Sequence, residues 1–409
     1  MKKTTLSSIA ALLTFSVIAT AQADNMPTRE QMWKMLQAQQ QKIEALESKL
    51  NQAEHKVEKV ATAVESNSKR SSSGLHWSDK ITLSGIVEVE AVNNRSYANV
   101  DTNDIVLATA QLGVDAKLND WVNANITLKY EEGANGDAGT ALGVDSASIT
   151  IGNADKTPFY LTAGSITVPF GGYSTLMSGD PMTQTLGETA ESAVQVGFNT
   201  GRINGSVYAF NGTSSESGAS DVIDQFGASL GLTHESEKFN FELGMGWINA
   251  LEDSDNLQTT IPSDIAAMVD HIAGAEIHST LKLGGFTVNG EYVTALNSFD
   301  STEMTFNGSS AKPSAWNLEL GYTFNLAEME TTVAAGYQKS SEALSLGLPE
   351  KRIRGGISMG IYENTTLSFE YARDKDYATS DSAGVNSAAE TAATGATAHS
   401  SSMKLGVEF

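Results

Sequence analysis

The chain has 409 residues, 40% hydrophobic and 18% charged, with 49 acidic residues against 26 lysines and arginines and a formal net charge of −23. So acidic a chain is a poor partner for nucleic acid, whose phosphates need basic surfaces. It has no cysteine, which suits a chain that crosses an oxidising periplasm unfolded, since no wrong disulfide can form there.

Lys2 and Lys3 precede an apolar stretch from Leu6 through Ile18, and Ala21-Gln22-Ala23 stands before Asp24. This is the three-part layout of a secretory signal, predicted over residues 1–23, and the apolar stretch falls short of the roughly 20 residues of a spanning helix. No later segment approaches the roughly 18 uninterrupted apolar residues of such a helix, which leaves a closed barrel as the way to cross lipid.

Residues 24–70 are predicted to form a periplasmic coiled-coil helix. Leu36, Ile43, Leu50, Val57 and Val64 fall on one heptad position, and Met32, Gln39, Leu46, Ala53 and Val60 on the other core position. Lys42 and Lys49 can then meet Glu47 and Glu54 of a parallel neighbour. The seam of Leu36, Ile43, Leu46, Leu50, Val57, Val60 and Val64 is too narrow for a barrel wall to bury, so the partner expected is another copy of the chain. Dimer and trimer both stay open, and so does a solvated spacer, because Gln39 and Ala53 weaken the seam. A serine-rich linker, 71–80, follows.

From Ile81 to the end, runs of about ten residues alternate apolar with polar, the period that puts one set of side chains on each face of a strand. The clearest is the last, where Met403, Leu405, Val407 and Phe409 alternate with Ser402, Lys404, Gly406 and Glu408. About 16 strands are predicted over 81–92, 104–118, 121–131, 142–152, 157–168, 191–200, 203–212, 223–235, 238–250, 269–283, 285–297, 314–325, 329–340, 350–362, 365–376 and 398–409. Connectors alternate between short and long, as in outer-membrane barrels with short periplasmic turns and longer external loops. The fold class is therefore all-β, a transmembrane antiparallel barrel at 81–409 preceded by an α-helical coiled coil. Val106, Ala108, Ala110, Leu112, Val114, Ala116 and Leu118 on the second strand, and Trp316, Leu318, Leu320, Tyr322 and Phe324 on the twelfth, are expected to face lipid. Trp121, Tyr130, Phe239, Phe241, Phe286, Tyr292 and Tyr371, near strand ends, suit interfacial girdles.

The third long connector, Pro169 to Ala190, differs from the small, polar, acidic loops around it: it carries two prolines with Phe170, Tyr173, Leu176 and Met177. In sixteen-strand porins the third external loop folds into the lumen, and by that analogy Tyr173, Asp180, Thr183, Glu188 and Glu191 would line a constriction; an ordered surface loop is the alternative. Inward strand positions are predicted to carry Glu88, Glu90, Asp115, Glu131, Glu242, Glu276, Glu291, Glu319 and Glu370 against Lys117, Lys129, Lys282, Arg352 and Arg354. Charged rings select ions and charged solutes in pores, although any wet lumen needs polar lining.

His234, His271 and His278 raise the question of a metal, but His271 and Glu276 fall on opposite faces of a strand, so no metal site is expected. No serine sits in a Gly-x-Ser-x-Gly elbow and no phosphate-cradling Gly-x-x-x-x-Gly-Lys-Ser/Thr loop is present. Neither catalysis nor a cofactor is expected.

The signal, the coil, the barrel and the stretch Gly164-Ser-Ile-Thr-Val-Pro-Phe-Gly171 leading to Ser178-Gly-Asp-Pro-Met-Thr183 and Leu186-Gly-Glu-Thr189 resemble the LbtU family of siderophore porins. Other porin families, the phosphate-selective and DcaP-type among them, share the coil and barrel. The resemblance implies passive outer-membrane passage of ferric siderophores without an energy-coupling partner. A general diffusion porin without a siderophore role, and a coil that tethers the outer membrane to the cell wall, are the alternatives. The partners expected are outer-membrane lipid, a small solute and further copies of the chain.

Overall fold

The structure, a computed structural model, describes residues 80–132, 142–216, 222–261 and 268–409. The expected signal, the coil with its seam, and the linker up to 79 lie outside the described residues.

Sixteen strands close into one antiparallel barrel: β1 (Ile81–Arg95), β2 (Asp101–Lys117), β3 (Val122–Tyr130), β4 (Gly143–Gly152), β5 (Phe159–Thr167), β6 (Ala190–Asn199), β7 (Ile203–Asn211), β8 (Gln225–His234), β9 (Phe239–Ile248), β10 (Gly274–Leu283), β11 (Phe286–Ala295), β12 (Ser314–Leu326), β13 (Met329–Ser341), β14 (Lys351–Tyr362), β15 (Thr365–Lys375) and β16 (Thr397–Glu408). Each pairs with its sequence neighbours, and β16 returns to β1 in a register running from Ile86↔Glu408 to Arg95↔His399. Closure gives every strand a neighbour on each side, so no edge strand is left. The last seam is finished by Phe409, whose backbone N–H and C=O both pair with Gly85 at 3.0 and 2.8 Å.

The period-two pattern sets the two faces. On β12, Leu318, Leu320 and Tyr322 are 50, 53 and 42% exposed on the outside, while Asn317 before them and Glu319 between them are 2 and 0% exposed inside. On β2 the expected outward set holds only in part. A bulge opposite Glu88/Val89 puts Ala110 against Val87 but Leu107 against Val89, so parity flips and Val106 turns inward opposite Glu90 while Ile105 becomes the outward residue. One extra residue in a strand moves every side chain beyond it to the other face.

One end of the barrel carries tight turns. Several need backbone with positive φ, supplied by Gly201 at 83°, Gly284 at 57° and Asn364 at 54°; the β12–β13 turn reaches the same region with Ala327 and Glu328, residues that pay a steric penalty there. Both β1 and β16 meet at this end. The opposite end carries the connectors whose described residues are 96–100 (L1), 131–132 and 142 (L2), 168–189 (L3), 212–216 and 222–224 (L4), 249–261 and 268–273 (L5), 296–313 (L6), 342–350 (L7) and 376–396 (L8). L1 departs from the expected alternation: β1 and β2 stay paired out to Arg95↔Asp101, whose side chains form an ion pair at 3.0 Å, leaving only a short turn.

An apolar core sits among these loops rather than at the barrel's middle. Phe170, Met182, Leu186, Ile248, Leu251, Leu257, Phe299 and Met304 are at most 1% exposed and form one cluster. L3 contributes the short helix α1 (Met182–Gly187) and L5 the short helix α2 (Asp255–Thr260). This core explains the late start of β10, expected at 269. Met268 and Ile272 belong to the loop core, and Leu251 donates its N–H to the Ile272 carbonyl, so the apolar spacing there is loop packing. L6 and L8 add a separate four-stranded sheet of short strands, Met304–Phe306, Ser309–Ser310, Ser382–Val385 and Thr391–Ala392, that the sequence pattern did not disclose.

Candidate functional site: an infolded loop held by wall carboxylates

L3 runs inside the barrel, because its backbone is held by side chains on inward strand positions. Glu291 on β11 accepts the N–H groups of Gly172 and Tyr173 at 2.8 and 3.1 Å and the Thr183 hydroxyl at 2.5 Å. Glu319 on β12 accepts the Leu176 N–H at 2.6 Å and the Thr175 hydroxyl at 2.9 Å. Glu370 on β15 accepts the N–H and hydroxyl of Ser178, each at 2.8 Å, and the Gly179 N–H at 3.1 Å. Gln338 on β13 accepts the Met182 N–H at 3.1 Å. A loop inside a wall has no strand ladder to satisfy its donors, and these acceptors supply the need.

The carbonyls of the same segment meet bases. Arg354 on β14 donates to the Asp180 carbonyl at 3.2 Å and to that of Gly179, while its Nε lies 2.7 Å from Glu370. Lys404 on β16 donates to the Ser178 carbonyl at 2.8 Å and lies 3.4 Å from Glu88. Close approach also needs glycine: a Cβ at Gly172 would lie 2.6 Å from the His278 ring. Below L3 a cavity of about 360 Å³ opens among Thr175, Thr233, Glu242, Thr280, Lys282 and Asn289.

The five residues predicted for a constriction separate into two groups. Thr183, in α1, is fully buried on Glu291, and Tyr173, held at φ 45°, packs against the loop core with its hydroxyl on the Phe170 carbonyl at 2.5 Å. The Thr183 side chain thus binds the wall through Glu291, whereas the Tyr173 side chain packs within L3 and only its N–H reaches Glu291. Asp180 is exposed, Glu188 is half-buried with Gln184 as its donor at 3.0 Å, and Glu191 takes an inward position on β6 opposite Ile166. Glu188 lies close enough to Asp255, Asp180 and Lys129 for their charges to act on its carboxyl.

The predicted lumen charges lie on inward positions in varied company. Glu88 faces Lys404; Glu90 is opposite Lys404 in register; Asp115 accepts a hydrogen bond from Asn125 at 2.9 Å, with Lys117 on the same face. Lys129 lies 2.8 Å from Glu131, and Arg352 makes a two-pronged pair with Asp374 at 2.7 and 2.8 Å. Lys404 and Asp374 are further inward groups that alternation within a strand places: Lys404 between the outward Met403 and Leu405, and Asp374 on the face of Glu370.

His271 and Glu276 are separated as expected, yet two groupings emerge that single-strand parity could not reveal. Glu276 and His278, on β10, share a face with Glu291 across the register; the three offer ligand atoms within 4.8 Å of one another, His278 Nδ1 being 2.9 Å from Glu276. Both oxygens of Glu291 are already occupied by L3, which makes the group a structural triad first. His271, in L5, lies 2.5 Å from Glu252 and 3.4 Å from Asp224 of L4, and it donates its backbone N–H to Glu216. The hydrogen bond to Glu252 raises its pKa to about 9, while burial raises that of Glu252.

No family model matches the chain. Its curated homologues are UPF0422 proteins; that of Legionella pneumophila (strain Lens) is 32% identical over 360 residues, covering 80% of this chain and 66% of its own length. The chain spans 65 to 66% of the length of the curated relatives it matches. Among solved structures, the anion-selective porin from Comamonas acidovorans matches with TM-score 0.54 and 13% identity, covering 80% of this chain and 99% of that one. The outer membrane channel DcaP of Acinetobacter baumannii matches with TM-score 0.53 and 14% identity, covering 80% of this chain and 97% of that one. The chain thus has the closed-barrel fold of outer-membrane porins.

Proposed function

We propose that this homologue of the UPF0422 proteins is an outer-membrane channel for the passive passage of small hydrophilic solutes, narrowed by L3. The observation that carries the reading is the set of Glu291, Glu319 and Glu370, which hold the L3 backbone inside a barrel whose outer face is apolar and whose inner face is polar. A sealed anchor has no need to hold a loop at fixed depth in its lumen. The apolar outer face supports placement in the outer membrane, with the short turns toward the periplasm and L1–L8 outside.

Within that class, the ferric siderophore implied by the LbtU resemblance is the substrate to test. Liposomes carrying the full chain are expected to swell in neutral sugars and to admit a ferric siderophore faster than protein-free liposomes. Swelling in sugars with no siderophore entry would leave a general diffusion porin. Growth of a deletion strain under iron limitation, with and without supplied siderophore, gives the same division in cells.

The assembly belongs to the same proposal: copies join through the coil at 24–70. Native mass spectrometry of the full chain and of a variant lacking 26–70 tests it. The truncated barrel is expected to be monomeric, and an unchanged oligomer would remove the coil from that role.

A further inference from the structure

Resting on the reading of this barrel as a channel, we propose that the passage selects cations, and that the sign is set at L3, where Glu188, with Asp180 near it, faces Lys129 of β3.

The bases on one side of the lumen are already committed. The Arg354 side chain is 1% exposed and bound to Glu370 and to L3 carbonyls, Arg352 is locked to Asp374, and Lys404 bridges Glu88 and Ser178. Each charge is matched at contact distance, so it contributes little field at the middle of a channel. The same contacts that fix L3 remove these bases from the balance that a passing ion meets.

The carboxylates presented by L3 are not matched in this way. Asp180 is exposed and enters no ion pair among the described residues, and Glu188 has only the neutral Gln184 as donor. Asp255 at the start of α2 lies near enough to act on Glu188, and Glu191 adds a further inward carboxyl. The base near Glu188 is Lys129, whose ammonium already lies 2.8 Å from Glu131 and 3.8 Å from Asp145. Its charge is more than balanced on its own wall before it reaches L3.

Physiological salt leaves charges unscreened over about 8 Å, and low-dielectric walls focus the field of those that line a lumen. A net negative ring at such a place raises the local concentration of cations and repels anions. The substrates favoured are small hydrophilic cations and solutes that carry them.

Reversal potentials across a potassium chloride gradient, recorded with the full chain in a planar bilayer, test the inference. The native channel is expected to prefer potassium over chloride several-fold, Asp180→Asn with Glu188→Gln to bring the ratio toward parity, and Lys129→Gln to raise it. Conductance with a chloride preference, or a native preference untouched by these substitutions, overturns the assignment while leaving the channel standing. A bilayer that stays sealed overturns the channel reading itself. Heat-modifiable migration on gels shows that each variant has folded.

Discussion

The Arg354 guanidinium lies 2.7 Å from the Glu370 carboxylate and 3.9 Å from that of Glu319, and the three side chains are 1, 10 and 0% exposed. A buried pair is weak evidence of stabilisation over an apolar core, but removing one partner strands a charge at a cost of about 3–5 kcal/mol. Arg354→Met leaves two carboxylates facing each other and also deprives the Gly179 and Asp180 carbonyls of their donor. The expected outcome is a lower unfolding temperature and noisier open-channel current. Arg354→Lys keeps the charge without the fork and should fall between.

Glu291 anchors the opposite end of the L3 segment. Glu291→Gln retains one acceptor oxygen for the Gly172 and Tyr173 amides, but its amide nitrogen cannot accept from the Thr183 hydroxyl. Each hydrogen bond to a charged acceptor is worth about 1.5–3 kcal/mol. Glu291→Ala removes both sides and should release the start of L3, with larger and more variable single-channel conductance than Glu291→Gln. Identical conductance in both variants would contradict a role for Glu291 in fixing the loop.

The Gly85–Phe409 contact makes a prediction about closure. A Cβ at Gly85 would lie 2.3 Å from the Phe409 ring. Gly85→Val therefore displaces the Phe409 ring from its place over Gly85, beside the backbone pair that finishes the seam. The temperature at which the folded gel band disappears should drop, and shortening Phe409 to Ala in the same chain should recover part of the loss.

The L4–L5 contact through His271 should depend on pH. Its pKa is raised to about 9 by the hydrogen bond to Glu252, so its contribution is fully present below the unfolded value of about 6.5 and is lost as pH rises through about 9. Protease cleavage within L4 and L5 is the measurement. Native protein is expected to resist at pH 6 and to be cut faster above pH 9, whereas His271→Gln should be cut at a rate that changes little over that range, once corrected for the protease's own pH profile.

Glu188 gives an acid counterpart. Burial raises its carboxyl above the usual range, with neighbouring Asp255 and Asp180 adding in the same direction. Protonation removes negative charge, so cation preference should begin to fall, as pH decreases, above the ordinary carboxylate range. Glu188→Gln should shift the onset of that fall to lower pH.

The wall was legible in the sequence because lipid on one side and water on the other impose a period of two, which Leu318, Glu319 and Leu320 obey without exception. Most of the strand set and the inward placement of Glu291, Glu319 and Glu370 followed from that rule, whereas L3 stood out by its prolines and its Phe170, Tyr173, Leu176 and Met177. What it could not give was anything set by cross-strand register or by an inserted residue. Val106 was misplaced by one bulge; Tyr173 and Thr183 were drawn to a wall glutamate more than a hundred positions away; and Met268 and Ile272 resembled a strand because loop packing also buries apolar side chains. The pairing of His278 with Glu291 needed the β10–β11 register, which alternation within one strand does not encode.

The central claim, that this barrel is an open channel with L3 fixed in its lumen, is tested most directly by single-channel conductance of the full chain in a planar bilayer beside a Glu291→Ala, Glu319→Ala, Glu370→Ala variant. The account expects steady, uniform steps for the native chain and larger, fluctuating steps for the variant. A folded, inserted native protein that passes no current, or a variant whose steps match the native ones, would contradict it.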